Sequence, residues 1–241
     1  MGLFNIILLD SVDSTNSYLK RNYEKLDDLT IVFSSFQTLG RGRMNRKFYS
    51  KKGESLLFSI LIKNKKIIEQ FDSLSLMSGC YIYKFLSKYV HNVSIKWPND
   101  VYINDKKVAG ILLEGVSTSS LDALIIGIGI NINTIDFDEE IKDKATSLRK
   151  ETNIIYNIDS LRDELVVYLK EMVNDIENGN KDYLDIIKNN NYLKDKEVFA
   201  TLNNKIEKVK VIDIADDNSL KVMFDNKIYY LREGEVVKVN Q

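Results

Sequence analysis

The chain has one proline, one tryptophan, one cysteine and one histidine in 241 residues, and each scarcity excludes something. A single cysteine, Cys80, cannot close an intramolecular disulfide, so a reducing, cytoplasmic setting is the natural expectation. A single histidine, His91, rules out a His-rich metal site. A Ser-His-Asp triad would have to use it, and no nucleophile elbow is present. An excess of one charge is also missing: 34 Lys and Arg against 35 Asp and Glu leave a net charge of −1. That balance argues against a dedicated nucleic-acid binder and leaves room for a local basic patch. Long apolar runs are absent. Phe4-Asn5-Ile6-Ile7-Leu8-Leu9 is too short for a signal peptide or a membrane span and meets Asp10 at once. With 44% hydrophobic and 29% charged residues, the length suits one large domain, or one domain plus a small one.

The one proline and the one tryptophan stand side by side in residues 96–114, KWPNDVYINDKKVAGILLE. Pro98 fixes its own φ and pushes Trp97 toward an extended conformation. Val101 and Ile103 alternate with Tyr102 and Asn104 as in a strand, Asn104-Asp105 is tight-turn chemistry, and Lys107–Leu113 reads as the returning strand. The expectation is a β-hairpin with Asn99 and Asp100 at its mouth and Lys107 near its tip. Taken alone, such a hairpin is ordinarily core.

Elsewhere the pattern predicts strands at residues 3–9, Thr30–Gln37 and Ser55–Lys63, with a helix of roughly ten residues opened by Asp13-Ser14-Thr15-Asn16. Residues 38–54 lack an apolar period and read as a loop. Ile67, Ile68, Phe71, Leu74, Met77, Ile82, Phe85 and Leu86 predict one core-packed helix over 67–90. A buried strand follows at Leu121–Asn133, then helices at 158–178 and 180–192. From near Asp195 short β runs take over: Glu197–Leu202, Lys205–Ile214, Ser219–Phe224, Lys227–Arg232 and Val236–Val239. Asn203-Asn204, Asp216-Asp217-Asn218 and Asp225-Asn226 are the turn signals between them, as in a small barrel appended to an α/β domain.

Three further stretches carry chemistry. Gln37–Lys47 sets Arg41, Arg43, Arg46 and Lys47 among two glycines. Arginine forks suit phosphate, and like charges this close predict a loop that orders around an anion, although an isolated GRGR is ordinarily a solvated basic loop or an RNA contact. Gly127-Ile128-Gly129-Ile130-Asn131-Ile132-Asn133 has the wrong spacing for a dinucleotide fingerprint, and no helix follows it. Alternating glycines leave one strand face bare for a flat ligand or for tight packing, with Asn131 and Asn133 on the same side. Ser14-Thr15-Asn16 is ordinarily a helix cap, and as a polar cluster at a helix N-terminus it could also grip a small neutral group.

In order and spacing, DSTN, QTLGRGRMNR, KWPNDV, KVAGILLE and GIGININ resemble the biotin–protein ligases over essentially the whole chain. With DSTN starting at Asp13, the resemblance is to the short form without an N-terminal DNA-binding domain. It implies an α/β (α+β) fold: a mixed β-sheet catalytic domain flanked by helices over residues 1–193, and a small C-terminal SH3-like β-barrel over residues 194–241. It implies activation of biotin with ATP and Mg²⁺ to biotinyl-5′-AMP, then transfer to a lysine of a biotin carboxyl carrier protein domain. Neither DNA nor a membrane is then an expected partner, and a homodimer is left open. By the same resemblance, Ser14, Thr15 and Gln37 grip the ureido ring, and Asn16 and Gly40 help shape that pocket. Arg41 and Arg43 cover the carboxylate and the α-phosphate, and Lys107 meets their junction. Gly110 permits close approach of the ligand. Arg46 faces the leaving phosphates, Phe48 stacks on adenine, and Asn99 and Asn131 contact the nucleotide or its metal. Asp100 orients or deprotonates the incoming lysine, unless it serves to hold Lys96 or Arg41. No metal ligand is assigned, because Mg²⁺ is expected mainly on ATP phosphates and water. One departure is Asn45, where the resemblance has glycine; Asn is the non-glycine residue most tolerant of positive φ.

Two alternatives have identifiable signatures. A lipoate or octanoate ligase of related fold would need an apolar tunnel and would not use a ureido-gripping site. A biotin-sensing regulator that binds DNA or RNA would need a groove-reading element and more positive charge. A scaffold would leave the clustered arginines unexplained.

Overall fold

The computed structural model of the protein describes residues 4–43, 46–117, 121–202, 204–232 and 236–239. Asn45 and the Asn203 of one expected turn lie outside the described residues. The elements in chain order are β1 (Asn5–Leu9), α1 (Thr15–Asn22), β2 (Thr30–Ser34), β3 (Ser55–Ile62), α2 (Lys65–Ile68), α3 (Phe71–Leu86), β4 (Val93–Lys96), β5 (Asp100–Ile103), β6 (Lys106–Ser117) and β7 (Leu121–Asn131). They continue with α4 (Leu148–Thr152), α5 (Ile158–Glu177), α6 (Tyr183–Asn189), β8 (Glu197–Leu202), β9 (Lys205–Ile214), β10 (Leu220–Phe224), β11 (Lys227–Leu231) and β12 (Val236–Val239).

Seven strands form one sheet in the order β1-β2-β3-β7-β6-β5-β4. β1 and β2 run parallel, and the other neighbours are antiparallel, so the sheet is mixed. Strand alternation gives its two faces different work. Leu56, Phe58, Ile60 and Ile62 of β3 and Ile126, Ile128 and Ile130 of β7 share one apolar cluster with Leu74, Met77 and Phe85 of α3 and Leu165 and Leu169 of α5. On the opposite face Val32, Leu61, Ala123 and Ile125 pack with Leu19 of α1. Beyond them the apolar side chains of that second face thin out: β3 carries Ser59, and β7 carries Gly127, Gly129 and Asn131. The candidate site lies there.

Two helix expectations need correction. The helix expected over 67–90 is broken into α2 and α3 at Glu69-Gln70. Gln70 leaves helical geometry (φ −93°, ψ 20°) and donates its side-chain amide to the Ile176 carbonyl of α5 at 3.0 Å. Ile67 and Ile68 are buried while Phe71 is exposed, so their helical spacing runs across two separate elements, the one-turn α2 and the long α3. The helix expected over 180–192 ends at Asn189, because the chain turns to pair with the outer edge of β4. Ile95 donates its N–H to Asn190 and accepts one from Tyr192.

The remaining strands form a five-stranded sheet, β11-β10-β9-β8-β12, with antiparallel pairings throughout. Asn104-Asp105 and Asp225-Asn226 have positive φ at both residues, as two-residue hairpin turns matched to strand twist require. Trp97 is buried and joins the two sheets: its indole N–H donates to the Asn218 carbonyl at 2.9 Å, and Tyr183 donates to the Asn218 side chain at 2.8 Å.

Cys80 lies fully buried in α3, and burial pushes its thiol up to about 12. A thiol is nucleophilic only as thiolate. The folded protein is therefore expected to resist iodoacetamide at pH 8 and to take up one equivalent only after denaturation, counted by mass spectrometry.

Candidate active site

The β5–β6 hairpin contains a feature that sequence alternation conceals. Asp100 pairs with Gly110 and Val101 with Ala109, but Tyr102 pairs with Lys107, so Val108 is an extra residue in β6. Directly opposed residues of an antiparallel pair share a face. The β-bulge therefore sets Lys107, Gly110, Asp100 and Tyr102 on one face, although residues 107 and 110 would oppose each other in an unbroken strand. Val108 and Ala109 are both fully buried. Lys107 is fixed from its other side by residues 144–146: its N–H donates to Lys144 at 2.8 Å, and its carbonyl accepts from Thr146 at 2.9 Å. Asn131 steadies that segment by donating its side-chain amide to the Thr146 carbonyl at 3.1 Å.

On this face Lys107 Nζ meets Asp100 Oδ1 at 2.6 Å. A Cβ at Gly110 would stand 2.8 Å from Lys107 Nζ and 3.6 Å from Asp100 Oδ1, so glycine keeps the approach to the pair open. Gly110 faces Gly129 on β7, and Gly127 lies two residues further along the same bare strip. Phe48 lays its ring on Gly129, where a Cβ would stand 2.5 Å from Cζ, and the Asn16 amide lies on Gly127. Gly40 permits the basic loop to close on itself: a Cβ there would stand 2.5 Å from the Phe48 carbonyl, and Phe48 N–H donates to the Gly40 carbonyl at 3.0 Å.

The N-terminus of α1 closes one end. Ser14 is its N-cap, yet its hydroxyl makes no cap hydrogen bond. Gln37 Oε1 accepts the Thr15 N–H at 2.7 Å, one of the donors a helix start leaves over. Thr15 Oγ1 lies 2.6 Å from Ser59 Oγ, which donates to Asn16 Oδ1 at 2.5 Å. Asn16 Nδ2 donates to Glu114 Oε2 at 2.7 Å. Glu114 also pairs with Lys20 at 2.7 Å and with Arg41 at 3.1 Å. Burial alone would raise its pKa, but hydrogen bonds from Lys20 and Asn16 and the charges of Lys20 and Arg41 hold the carboxyl below its ordinary range. Ser59, Glu114 and Lys20 were not among the sequence-derived candidates. Glu114 could have been found by counting every second residue from Gly110, since the two share a face of β6.

Arg43 reaches across to Asn99, Nη1 to Oδ1 at 2.8 Å, and Asn99 in turn donates to the Ile111 carbonyl at 2.9 Å. Ser14, Thr15, Asn16, Gln37, Arg41, Arg43, Phe48, Asn99, Lys107 and Gly110 line one pocket with Gly127 and Gly129. Arg46, Gly40, Asp100 and Asn131 stand outside that lining. Burial lowers the pKa of Lys96 against the pull of Asp100, and the charges of Lys107, Lys196 and Arg46 add to the lowering. Lys96 donates to the Tyr102 hydroxyl at 2.8 Å, so Asp100 holds Lys107 rather than Lys96 or Arg41. The pocket thus joins a neutral hydrogen-bonding end to an end with fixed cations, along a strip without side chains.

Such a pocket offers hydrogen bonds to a small polar ring at one end and cations to an acid at the other. The profile of the Biotin/lipoate A/B protein ligase family matches residues 8–131. The chain is 35% identical over 145 residues to the bifunctional ligase/repressor BirA of Bacillus subtilis, covering 58% of this chain and 44% of that protein. It is 30% identical over 168 residues to Escherichia coli BirA, covering 69% and 52%. A solved biotin protein ligase from Aquifex aeolicus, in complex with biotin and ATP, superposes with a TM-score of 0.86 at 31% identity, covering 97% of each chain. The chain belongs to the biotin/lipoate A/B protein ligase family. It spans about half, or less, of the length of the curated BirA relatives it matches.

The glycine strip makes a paired prediction. Gly110→Ala meets only the flexible end of Lys107 and should change unfolding free energy by less than about 1 kcal/mol. Gly129→Ala drives a methyl into the Phe48 ring and should cost about 1–3 kcal/mol. Urea unfolding of both variants checks the contrast, and equal costs would contradict the packing described.

Proposed function

We propose that this chain is an ATP-dependent ligase that activates biotin as biotinyl-5′-AMP and transfers it to a lysine of a biotin carboxyl carrier protein domain. The observation that carries the reading is the single pocket in which Thr15 and Gln37 stand at one end and Lys107 and Arg43 at the other. The Aquifex aeolicus relative in complex with biotin and ATP supports biotin over a lipoyl or octanoyl substrate.

In the first half-reaction a biotin carboxylate oxygen attacks the α-phosphorus of ATP. An O–P bond forms, the bond to the β-phosphate breaks, and pyrophosphate leaves. No proton need move, so catalysis rests on alignment and on neutralising negative charge. Lys107 releases Asp100 and turns to the carboxylate–phosphate junction, with Arg43 beside it and Arg41 drawn from Glu114 to the same anions. Phe48 is the aromatic available to adenine; Asn99 offers the nucleotide its Oδ1 once Arg43 moves to the anions, and Asn131 offers its Oδ1 while its Nδ2 stays on Thr146. In the second half-reaction the carrier amine attacks the acyl carbon, the acyl–phosphate C–O bond breaks, and AMP departs with that oxygen. Asp100, vacated by Lys107, orients the amine and accepts its proton. Magnesium enters with the ATP. It is held mainly by phosphate oxygens and water. We assign residues 1–193 to the catalytic domain and residues 194–241 to a small SH3-like barrel domain.

Biotin-dependent exchange of labelled pyrophosphate into ATP tests the reading; exchange that ignores biotin, or that responds to lipoate instead, would sink it. Lys107→Ala should lower that exchange by roughly 10²–10³, the usual effect of losing one preorganised charge stabiliser, while the variant remains folded. Asp100→Asn should separate the half-reactions. A free lysine with a pKa near 10.4 is neutral in only about one molecule in a thousand at pH 7, and a nearby carboxylate favours the charged amine. Asp100 therefore helps by taking the proton as the bond forms. Single-turnover transfer from preformed adenylate should slow at least about tenfold more than pyrophosphate exchange. Equal losses would assign Asp100 to holding Lys107 alone.

A further inference from the structure

We infer that Glu114, which lies outside the pocket lining, is a positioning residue that fixes the hydrogen-bond polarity of the ring-binding end through Asn16, Ser59 and Thr15. The inference rests on the proposed reading that biotin is the ligand. It follows from counting protons. An ionised carboxylate can only accept, and Glu114 is kept ionised by Lys20 and Arg41 at 2.7 and 3.1 Å. The atom of Asn16 that faces Glu114 at 2.7 Å must then be the amide nitrogen. The Asn16 carbonyl oxygen is thereby turned to Ser59, whose hydroxyl donates to it at 2.5 Å. Ser59 has one proton, so toward Thr15 Oγ1 at 2.6 Å it can only accept. The Thr15 hydroxyl must spend its own proton on Ser59, and its 3.1 Å contact with Gln37 Oε1 carries none.

Thr15 therefore meets a ligand as an acceptor. Gln37 is set in the opposite sense, because its Oε1 is engaged by the Thr15 N–H at 2.7 Å and its Nε2 is left as a donor. An acceptor beside a donor matches a cyclic urea, which presents N–H and C=O on adjacent atoms. Asn16, Ser59 and Thr15 are almost wholly buried, so water competes little, and reversing one member reverses those beyond it. A glutamine in place of Glu114 would turn its one oxygen to Lys20 or Arg41 and its N–H₂ to Asn16. Asn16 would then flip, Ser59 would lose its acceptor, and Thr15 would no longer be held as one.

The test is a double-mutant cycle on biotin binding by titration calorimetry, with ATP binding measured in parallel. Glu114→Gln and Ser59→Ala should each raise the biotin Kd about tenfold, the size of one hydrogen bond lost from a buried site. In Ser59→Ala, which leaves the Glu114–Arg41 pair intact, ATP affinity should stay within about twofold, which a general loss of structure would not allow. Because both changes break one chain, the double variant should bind about as weakly as either single one. An unchanged biotin Kd in Glu114→Gln overturns the inference, and so do single losses that multiply to about a hundredfold in the double variant. Should Glu114→Gln fail to fold, Glu114→Asp, which keeps the charge and loses the reach, takes its place in the cycle with the same expectations. Wild-type protein that binds no biotin at all would instead remove the functional reading beneath it.

Discussion

The site depends on one extra residue in one strand. Without the bulge at Val108, a regular register would send either Lys107 or Gly110 into the core face of the sheet. With it, the cation, the glycine that clears space before it and the carboxylate that holds it share one face. The arrangement is held from both sides. Val108 and Ala109 are buried beneath, and residues 144–146 take over the backbone hydrogen bonds of Lys107. Asn131 fastens that segment in turn. A residue outside the pocket thus acts on Lys107 through the backbone, and moving the bulge would disturb several elements at once.

Electrostatics at the two ends follow different logic. At the anionic end the protein keeps its cations on carboxylates or amides, Lys107 on Asp100, Arg41 on Glu114 and Arg43 on Asn99. These partners hold the charges near their working positions and can be exchanged for a substrate anion with little reorganisation, the condition under which fixed charges contribute most to catalysis. Asp100 and Lys107 are partly exposed, so their attraction is moderated by solvent and the exchange is accessible. At the neutral end the groups are buried and chained together, so what matters there is which atom carries each proton.

Much of this was legible in the sequence, and the rest was hidden for physical reasons. Turn chemistry located the hairpin at Asn104-Asp105 and the turns of the C-terminal strands, because positive φ restricts residue choice so strongly. The alternating glycines marked the bare strip on β7. The bulge was invisible, since Val108 is as apolar as its neighbours and a shift of register leaves no mark on composition. The break at Gln70 was masked by apolar residues whose spacing happened to fit one helix, and the end of α6 was set by a strand edge supplied from Ile95, distant in sequence. Ser59 was missed because it stands in no motif, and Glu114 because nothing marked the last residue of KVAGILLE as functional; their role depends on Asn16 lying between them.

The central claim is that biotin lies in the pocket along the glycine strip, with Thr15 and Gln37 at one end and Lys107 at the other. The position of biotin in a crystal of the complex tests it most directly. The ring should be found against Thr15 and Gln37, beside the Asn16 amide that covers Gly127, with the acid end beside Lys107. Biotin bound away from Thr15, Gln37 and Lys107, or bound in the reverse sense with its carboxylate at Thr15, would contradict the account.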